Sequence, residues 1–556
     1  MTRHIAFLVD IESLILELKR KDSRLLATLA EIYGEDMVEE KRSLYLSLLE
    51  KFIDIFGYEG NIVISRAPGR VNLMGRHVDY IGGPVNPIAT HYEIISLVRK
   101  RNDDRVVLYN TDPKYKPFSF RISEELPERK IKDLKQWDDW TSKEHEMRLK
   151  RGEKYEWGDY IKGLIIYLQD YYRSPSGEIL KRVGGIDALV HGDIPPKRGL
   201  SSSSALVVSI AIALRELFDL DIPLGEFIDR VGYSEWYRLT RGGTADHAAI
   251  ILSKRGFVSH IKCLPTLPEE VSYAPFPEEY EVIVIDSGFE RPDTEDAINY
   301  LRVTAAEYRI AVLLVKSRFK EYSDRIMLLR DISVENLKVG LDRIYEIIKS
   351  LPERASRKDL RRMCAEEYLE ELGIIFSNHK EPPQGYKIRQ RALYGLAEIE
   401  RSKVFPHLLK RGDIASIFKL IKISHDGDRV AKFDKWGNRV EWNPSIFSTD
   451  ERLNELIEMV KRGVLERAQL YWQPGGYERS IEPIDYMCDM IHYHLEGCAE
   501  AQLMGAGLGG GVLCITRKDK INLLRRILED TYYDRYGMRP QMLSVEPSYG
   551  ACILCR

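Results

Sequence analysis

Residues that crosslink a chain or anchor it in a membrane are scarce in this sequence. Seven cysteines are scattered among 556 residues, an odd number without the spacing of a secreted disulfide framework. No apolar run reaches the ~18 residues that a membrane-spanning helix requires, and no small-residue cleavage site follows the short apolar run near the N-terminus. The sequence therefore predicts a protein of the reducing cytoplasm without a membrane partner.

A surplus of charge of either sign is missing as well. The 83 Lys and Arg residues and the 86 Asp and Glu residues give a formal net charge of −3. A broad nucleic-acid-binding surface needs a cationic surplus, so nucleic acid is not an expected partner, although a local basic pocket is not excluded. The 44% of hydrophobic residues suffice for a large core without disulfides.

Hydrophobic periodicity divides the chain into a helical extension and two lobes. Residues 1–60 carry leucines at three- and four-residue spacing, which predicts amphipathic helices that pack on the main body or bind a partner. A β-branched run begins at Asn61, and a further strand, EVIVIDSG, follows a proline-rich stretch. We predict an α+β fold with lobes at residues 61–275 and 276–556, and a surface insertion containing some strand at residues 102–156.

The segment PPKRGLSSSSA, residues 195–205, has the composition of a phosphate-binding loop. It follows a predicted strand and opens a long apolar helix, whose free N–H groups and positive dipole end favour an anion. Gly199 allows close approach of the backbone, and Lys197 and Arg198 add positive charge. A serine-rich helix cap is the alternative interpretation, but four consecutive serines exceed what capping needs.

A second glycine-rich segment, MGAGLGGG at residues 504–511, formally matches the dinucleotide fingerprint G-x-G-x-x-G. That fingerprint requires a strand before it and a helix after it, whereas here a helical stretch precedes and the strand-like VLCIT follows. We expect these glycines to serve close packing beside another loop. No G-x-x-x-x-G-K-[ST] motif occurs, which excludes a Walker-type nucleotidase.

Three segments, in this order, resemble the motifs of one kinase superfamily. Residues 66–80, RAPGRVNLMGRHVDY, resemble the galactokinase signature, and the segments at 195–205 and 504–511 resemble the second and third motifs of the GHMP kinases. Residues 157–163 (WGDYIKG) and 241–247 (RGGTADH) also resemble galactokinase segments. The resemblance implies a two-lobed GHMP kinase fold with the active site between the lobes, and ATP and Mg²⁺ as cofactors.

The resemblance also implies a catalytic pair and a metal site. Asp246 matches the base that accepts the proton of the sugar hydroxyl, and Arg70 matches the residue beside that aspartate. Glu235 and Ser203 are the expected Mg²⁺ ligands, with Ser202 as the second choice of serine. The alternatives are a turn-capping aspartate, a surface arginine at a strand end and a solvated helix glutamate.

The remaining implied residues form a nucleotide site and a sugar site. A carboxylate suits a sugar site because it accepts hydrogen bonds from two neighbouring hydroxyls. The two aromatic residues expected to flank the adenine are equally compatible with a place in the core. The nucleotide site comprises Gly199, Leu200, Ser201, Ser202, Ser203, Ser204, Trp157 and Tyr160, and the sugar site comprises Arg76, His77, Asp79, Gly243 and Tyr300.

Arg76 departs from the galactokinase signature, which has Glu at this position, in contact with the 6-hydroxyl of the sugar. A guanidinium only donates hydrogen bonds and a carboxylate only accepts them, so the exchange inverts the hydrogen-bonding sense of the position. Two interpretations are open. Either Arg76 binds an anionic C6 substituent, as in a uronic acid, or it points away into an ion pair and galactose still binds.

A Cys- and His-rich cluster near the C-terminal end is a weaker candidate for a functional site, namely a metal site. Zinc needs converging ligands, and His492 and His494 diverge on a predicted helix, so we expect no metal between Cys488 and Cys498. The terminal ACILC, which contains the C-x-x-C pair Cys552/Cys555, predicts a buried strand instead.

The favoured function is an ATP-dependent, Mg²⁺-requiring kinase that phosphorylates a monosaccharide. The expected acceptor is the anomeric hydroxyl, which gives a sugar 1-phosphate, and the expected substrate is galactose or a C6-modified sugar. One alternative is a galactokinase-like sensor that binds sugar and ATP without catalysis, and another is a GHMP kinase for a non-sugar alcohol. We expect a monomer or a homodimer.

Overall fold

The computed structural model describes residues 9–20, 23–195, 198–239 and 242–554. Its strands are β1 (Val9–Asp10), β2 (Asn61–Asn72), β3 (Pro87–Lys100), β4 (Arg105–Asn110), β5 (Phe118–Arg121), β6 (Ile186–Gly192), β7 (Phe257–His260), β8 (Ser272–Pro275), β9 (Tyr280–Asp286), β10 (Lys432–Phe433), β11 (Arg439–Val440), β12 (Ala499–Leu503), β13 (Gly511–Arg517), β14 (Met542–Val545) and β15 (Cys552–Ile553).

The α-helices of the described residues are α1 (Ile11–Lys19), α2 (Arg24–Tyr33), α3 (Val38–Phe56), α4 (Ile122–Glu125), α5 (Leu134–Arg151), α6 (Asp159–Tyr171), α7 (Ser202–Leu217), α8 (Leu224–Ser234), α9 (Ala245–Leu252), α10 (Glu295–Arg318), α11 (Val334–Leu337), α12 (Leu341–Ser350), α13 (Arg357–Met363), α14 (Leu369–Ser377), α15 (Ile388–Arg411), α16 (Ile414–Asp428), α17 (Asp450–Lys461), α18 (Leu465–Ala468), α19 (Glu482–His494), α20 (Ile521–Leu528) and α21 (Asp534–Tyr536). Short 3₁₀ turns include Asp79–Ile81, Glu235–Arg238 and Leu329–Asp331.

A mostly antiparallel sheet forms the core of the first lobe. Its strands lie in the order β1-β2-β3-β6-β4-β5, and β15 pairs with the same edge of β2 as β1. Strands β4 and β6 pair in parallel. The apolar helix α7 packs across β2 and β3, and its N-terminus therefore lies beside the strand that carries the first motif.

Helices α1, α2 and α3 cover the other face of this sheet. Leu29, Leu49 and Phe52 are fully buried in an apolar cluster with Ile64 of β2 and Ile95 of β3. Packing on the main body was one of the two interpretations of the amphipathic extension. Because helices cover both faces, β2 is buried along most of its length and lacks the apolar–polar alternation of a one-sided strand.

The extension also neutralises a carboxylate inside the sheet. Lys41 Nζ of α3 lies 2.7 Å from Glu93 Oε1, and Arg66 Nε of β2 lies 2.5 Å from Glu93 Oε2. Burial alone raises the pKa of a carboxyl group, but the two cations hold the pKa of Glu93 below its ordinary value. The helices of the extension thus supply charge as well as apolar surface.

A second sheet and a large helical body follow the first lobe. The predicted boundary at residue 275 falls between β8 and β9, where β9 begins an antiparallel sheet of order β12-β13-β9-β14. Helices between α10 and α18 enclose a separate apolar cluster that includes Tyr345, Ile348 and Leu393. Strand β15 differs from the predicted division because it returns to the sheet of the first lobe.

Residues 102–156, predicted as a surface insertion, contribute to the core. Strands β4 and β5 complete one edge of the large sheet. Trp137 of α5 is fully buried and stacks on Tyr167 with 4.3 Å between the ring centroids, and its Nε1 donates a hydrogen bond of 2.8 Å to Tyr233 O. Most charged residues of α5 are exposed or half-buried, while Trp137 holds the helix on the core.

The Cys- and His-rich cluster lies on α19 and on the turn that follows this helix. Within the described ranges, no three His, Cys, Asp or Glu side chains are placed to hold a metal ion, and His492 Nδ1 lies 2.8 Å from Glu500 Oε2 instead. The strand predicted as buried at ACILC is β15, in which Cys552 is half-buried, while Cys555 lies outside the described residues. No helix in the described part of the chain is long and apolar enough to cross a membrane.

Candidate active site

Strand β2 carries the first motif, and the chain then folds back on itself. The N–H of Leu73 donates to Asn86 O, and the N–H of Asn86 donates to Met74 O, each at 2.9 Å, which closes a loop around residues 75–83. Asp79 begins a 3₁₀ turn inside this loop. Asp79 interacts electrostatically with Asp246, so the loop brings this carboxylate to the predicted catalytic pair.

Arg70 and Asp246 form a two-pronged ion pair. Arg70 Nε lies 2.7 Å from Asp246 Oδ1, and Arg70 Nη2 lies 2.5 Å from Asp246 Oδ2. Asp246 stands in the first turn of α9, where a helix stabilises a negative charge. Burial raises the pKa of this carboxyl group, but Arg70 and a hydrogen bond from Ser201 outweigh burial and hold its pKa below the ordinary value. The carboxylate is therefore ionised at neutral pH.

The serine-rich loop joins this pair directly. The N–H of Arg70 donates to Leu200 O at 3.1 Å, and its Nη1 donates to Gly199 O at 2.7 Å. Ser201 adopts a left-handed conformation, with φ of 56°, and its hydroxyl donates to Asp246 Oδ2 at 2.6 Å. Helix α7 begins at Ser202, so its free N–H groups open onto the loop.

The third motif packs against this loop. Gly199 has φ of 73°, and a methyl group there would lie 2.7 Å from Met504 Cε. A methyl group on Gly507 would lie 2.4 Å from Arg479 O. Gly507 therefore serves close packing, as the sequence predicted for this segment, whereas Gly505 and Gly510 face open space.

Lys197 and Arg198 are the two cationic residues predicted beside the loop. Arg198 Nη1 lies 2.7 Å from Asp286 Oδ2 at the end of β9, so its guanidinium ties the loop to the second sheet. Lys197 lies outside the described residues.

Ser203 and Glu235, the predicted Mg²⁺ ligands, both lie near Tyr160. Burial raises the pKa of the Tyr160 phenol, and the hydroxyl of Ser203 and the charge of Glu235 both act on this pKa. Glu235 is buried directly after α8, with its Oε1 3.0 Å from His247 Nε2. One carboxylate and one hydroxyl are oxygen donors of the kind that Mg²⁺ takes together with phosphate oxygens and water, so the chemistry of these residues fits the ion. Ser204 is buried and Ser202 is half-buried at the same helix start.

Trp157 and Tyr160, predicted to flank the adenine, are partly buried against the core of the first lobe. Trp157 Nε1 donates to Lys116 O at 2.8 Å. The guanidinium of Arg238 lies 4.4 Å from the centre of the Tyr160 ring and covers one of its faces. Sequence reasoning had missed this arginine, although it lies only three residues after Glu235.

Asp79 and Gly243 fit together without room for another atom. A methyl group on Gly243 would lie 2.4 Å from Asp79 Oδ2. Burial and the nearby charge of Asp246 raise the pKa of Asp79 to about 6. Gly243 thus leaves space for a carboxylate that stands beside the predicted base.

Arg76 is only 5% exposed, and protein groups hold its guanidinium. Nη1 lies 3.0 Å from Asp428 Oδ2 and donates to Leu503 O at 2.8 Å, while Nη2 donates to Ser424 Oγ at 2.9 Å. The backbone N–H of Arg76 donates to Glu398 Oε1 at 3.0 Å. This arrangement agrees with the second interpretation of Arg76, in which the side chain points away into an ion pair.

His77 and Tyr300 lie against the helical body. His77 has φ of 59° and stacks on Tyr477 with 4.8 Å between the ring centroids, and its Nε2 lies 3.4 Å from Asp428 Oδ2. The Tyr300 hydroxyl donates to Glu478 O at 2.7 Å. The structure therefore brings together Arg70, Asp79, Gly243 and Asp246. His77 lies with Arg76 beside Asp428. The Tyr300 hydroxyl binds the segment that follows Tyr477.

Two family models match the chain where these residues lie. Residues 50–100 match the galactokinase galactose-binding signature, and residues 159–254 match the GHMP kinases N terminal domain. Together with the relatives described below, these matches support a galactokinase-like GHMP kinase. The chain is a sugar kinase, as the three motifs predicted.

Similar proteins differ in how much of the chain they match. A galactokinase of Clostridium tetani is 26% identical over 518 residues, which are 92% of this chain and 99% of the relative. A galactokinase of Lactococcus lactis subsp. cremoris is 29% identical over 268 residues, 47% of this chain and 58% of the relative. The crystal structure of Lactococcus lactis galactokinase complexed with galactose has a TM-score of 0.59 at 19% identity, and the match covers 92% of this chain and 99% of that one. The last likeness confirms the predicted fold class.

The partners of Arg76 in this GHMP kinase could not have been found from the sequence. Asp428, Ser424 and Glu398 lie in two helices more than three hundred residues after the motif. Charged residues are frequent throughout those helices, and no spacing distinguishes the buried ones from those on the surface.

Proposed function

We propose that this sugar kinase transfers the γ-phosphoryl group of ATP to the anomeric hydroxyl of galactose or a closely related hexose, which gives a sugar 1-phosphate. The observation that carries the proposal is the contact of Asp246 with both Arg70 and Ser201, because it joins a base, a cation and the phosphate-binding loop in one place. The names of the relatives support galactose as the substrate.

Asp246 accepts the proton of the attacking hydroxyl. Its lowered pKa keeps it ionised, and the hydroxyl loses its proton as the bond to phosphorus forms. Arg70 holds the carboxylate in a fixed orientation through two hydrogen bonds and adds positive charge where charge spreads over the transferred group. Asp79 accepts hydrogen bonds from two ring hydroxyls and so orients the sugar.

The serine-rich loop and its neighbours hold the nucleotide. Residues 199–204 present the N-terminus of α7 to the phosphates, and Trp157 and Tyr160 flank the adenine. Glu235 and Ser203 would hold Mg²⁺, which would neutralise phosphate charge. The site between the two lobes is completed by the third motif through its packing on Gly199.

An unmodified C6 position fits this site better than a uronic acid. The guanidinium that a C6 carboxylate would need is already paired with Asp428, and a second carboxylate would have to compete for it inside a buried network. Galactose is therefore the preferred substrate over galacturonate.

Release of ADP from ATP tests the proposal with a panel of sugars. We expect release with galactose, much less with galacturonate, and none with methyl galactoside, whose anomeric oxygen carries no proton. Release with methyl galactoside equal to that with galactose would show that another hydroxyl is the acceptor. Binding of galactose and ATP without any ADP would instead support the sensor, the rival function that an intact Arg70–Asp246 pair disfavours.

A further inference from the structure

Arg330 lies in the helical body but bonds to the loops of the first lobe. Its Nη1 donates to Gly82 O at 3.0 Å and to Cys263 O at 2.6 Å, and its Nη2 donates to Leu264 O at 2.5 Å. One guanidinium therefore joins two chain segments that are 180 residues apart. The planar fork of donors on arginine is suited to such a task, because it fixes several acceptors at once.

The first of these segments is the turn that carries Asp79. The N–H of Gly82 donates to Asp79 O at 3.1 Å, and the N–H of Gly83 donates to Val78 O at 2.8 Å. Gly82 has φ of 81°, and a methyl group there would lie 2.5 Å from Arg330 Cδ. The arginine stem thus packs directly on the turn, while its head binds the carbonyl that ends the turn.

The second segment, residues 263–266, borders the same carboxylate. Burial and then the charge of Asp79 raise the pKa of the Cys263 thiol, so the two side chains lie within electrostatic range of each other. Further along, the hydroxyls of Thr266 and Thr244 lie 3.3 Å apart, and Thr244 is the residue that precedes α9 and Asp246. Arg330 therefore bonds to the turn that carries Asp79 and to a segment that reaches the residue before α9.

The backbone that carries Arg330 is held in place by buried and hydrogen-bonded neighbours. It stands in the 3₁₀ turn Leu329–Asp331, in which Leu329 is 1% exposed. Asp331 closes the turn by accepting the N–H groups of Met327 and Leu328, each at 2.8 Å. The turn packs against α10 and α15, so the position of the arginine is set by the helical body.

We propose that Arg330 is a positioning residue that holds the Asp79 turn and the 263–266 segment in the geometry that binds sugar. It lies outside both matched family segments. The proposal rests on the proposed sugar-binding role of Asp79. Without the guanidinium, three carbonyls lose their shared donor, the turn becomes less ordered, and the sugar loses affinity, whereas the nucleotide loop is untouched.

Three variants test this role. Arg330→Ala removes the head and stem, Arg330→Gln keeps a shorter stem and two donors, and Arg330→Lys keeps the stem and the charge. Arg325→Ala is the matched control, because the Arg325 guanidinium also donates to a carbonyl, that of Leu337, at 3.4 Å, but remains within its own segment. For Arg330→Ala we expect a KM for sugar raised tenfold or more, with the KM for ATP within twofold of wild type. The lysine and glutamine variants should recover part of the loss.

Amide hydrogen exchange gives a second measurement that does not depend on turnover. Arg330→Ala should speed exchange in residues 78–84 and 262–267, and Arg325→Ala should leave these segments unchanged. A sugar KM for Arg330→Ala equal to that of the control, or unchanged exchange in both segments, would overturn the proposal. Absence of ADP release by the wild-type protein with every sugar would overturn the proposed function instead, and the exchange measurement would still decide the role of Arg330.

Discussion

Arg76 and Asp428 form an ion pair between the sugar-site loop and the end of α16, with 3.0 Å between Nη1 and Oδ2. Asp428 is fully buried, and a hydrogen bond of 3.2 Å from the Tyr394 hydroxyl adds to its stabilisation. Asp428 thus neutralises the positive charge that Arg76 introduces at a position where the family signature has Glu. The departure from the family signature is compensated within the chain and does not require an anionic substrate.

Removal of one partner of this pair should destabilise the fold strongly. Asp428→Asn leaves the Arg76 guanidinium buried without its counter-charge, which we expect to lower the free energy of unfolding by ~3–5 kcal/mol. The double variant Arg76→Met with Asp428→Asn removes both charges and should cost much less than the sum of the single changes. Urea denaturation measures the free energy of unfolding of Asp428→Asn, Arg76→Met and the double variant. Additive losses would contradict an ion pair between the two side chains.

Asp246→Asn should abolish turnover while ATP still binds. The amide keeps the shape of the side chain but cannot accept the proton of the hydroxyl, so we expect kcat to fall by ~10²-fold or more. Asp54→Asn, an exposed carboxylate of α3, is the control and should leave kcat unchanged. A coupled ADP assay and nucleotide titration make the comparison, and unchanged turnover in Asp246→Asn would remove this residue from the mechanism.

Two adjacent glycines give a matched test of the sugar site. Gly243→Ala puts a methyl group 2.4 Å from Asp79 Oδ2, whereas a methyl group on Gly242 meets nothing within 4 Å. We expect Gly243→Ala to raise the KM for sugar by tenfold or more and Gly242→Ala to stay within twofold of wild type. Equal effects of the two changes would mean that the contact with Asp79 has no part in sugar binding.

Sugar binding should weaken in mild acid because Asp79 must be ionised to accept two hydrogen bonds. Burial and the charge of Asp246 raise the pKa of Asp79 to about 6, so the affinity should decline by ~tenfold per pH unit below that value. Asp246→Asn removes the neighbouring negative charge and should move the midpoint to lower pH. Calorimetric titration of galactose between pH 5 and 8 measures both midpoints, and coincident midpoints would contradict the electrostatic coupling.

The motifs predicted the loops of the active site better than they predicted its surroundings. The glycine and serine segments, the α+β fold and the helices of the extension all follow from local composition and periodicity, which act over a few residues. The pairing of Arg70 with Asp246 came from the resemblance alone, because 176 residues separate the two. No local pattern in the chain implies such a contact.

Orientation and long-range partners were beyond prediction from the sequence. The sequence left two directions open for Arg76, and only the positions of Asp428, Ser424 and Glu398 decide between them. The stretch at 102–156 was misjudged because high charge was taken as a sign of a surface insertion, although Trp137 is fully buried there. One buried aromatic residue fixes such a helix, whatever the polarity of its outer face.

The pairing of β15 with β2 has a consequence for the synthesis of this protein. Arg66 of β2 donates hydrogen bonds to Tyr549 O and Gly550 O, the first of which lies 483 residues later in the chain. At ~5–20 residues per second, a ribosome needs roughly 25–100 s to supply that partner. During this interval the strand that bears Arg70 has an open edge, on which another nascent chain can dock. The pairing of β2 with β15 can therefore form only long after β3, the partner on the other edge of β2, has been made.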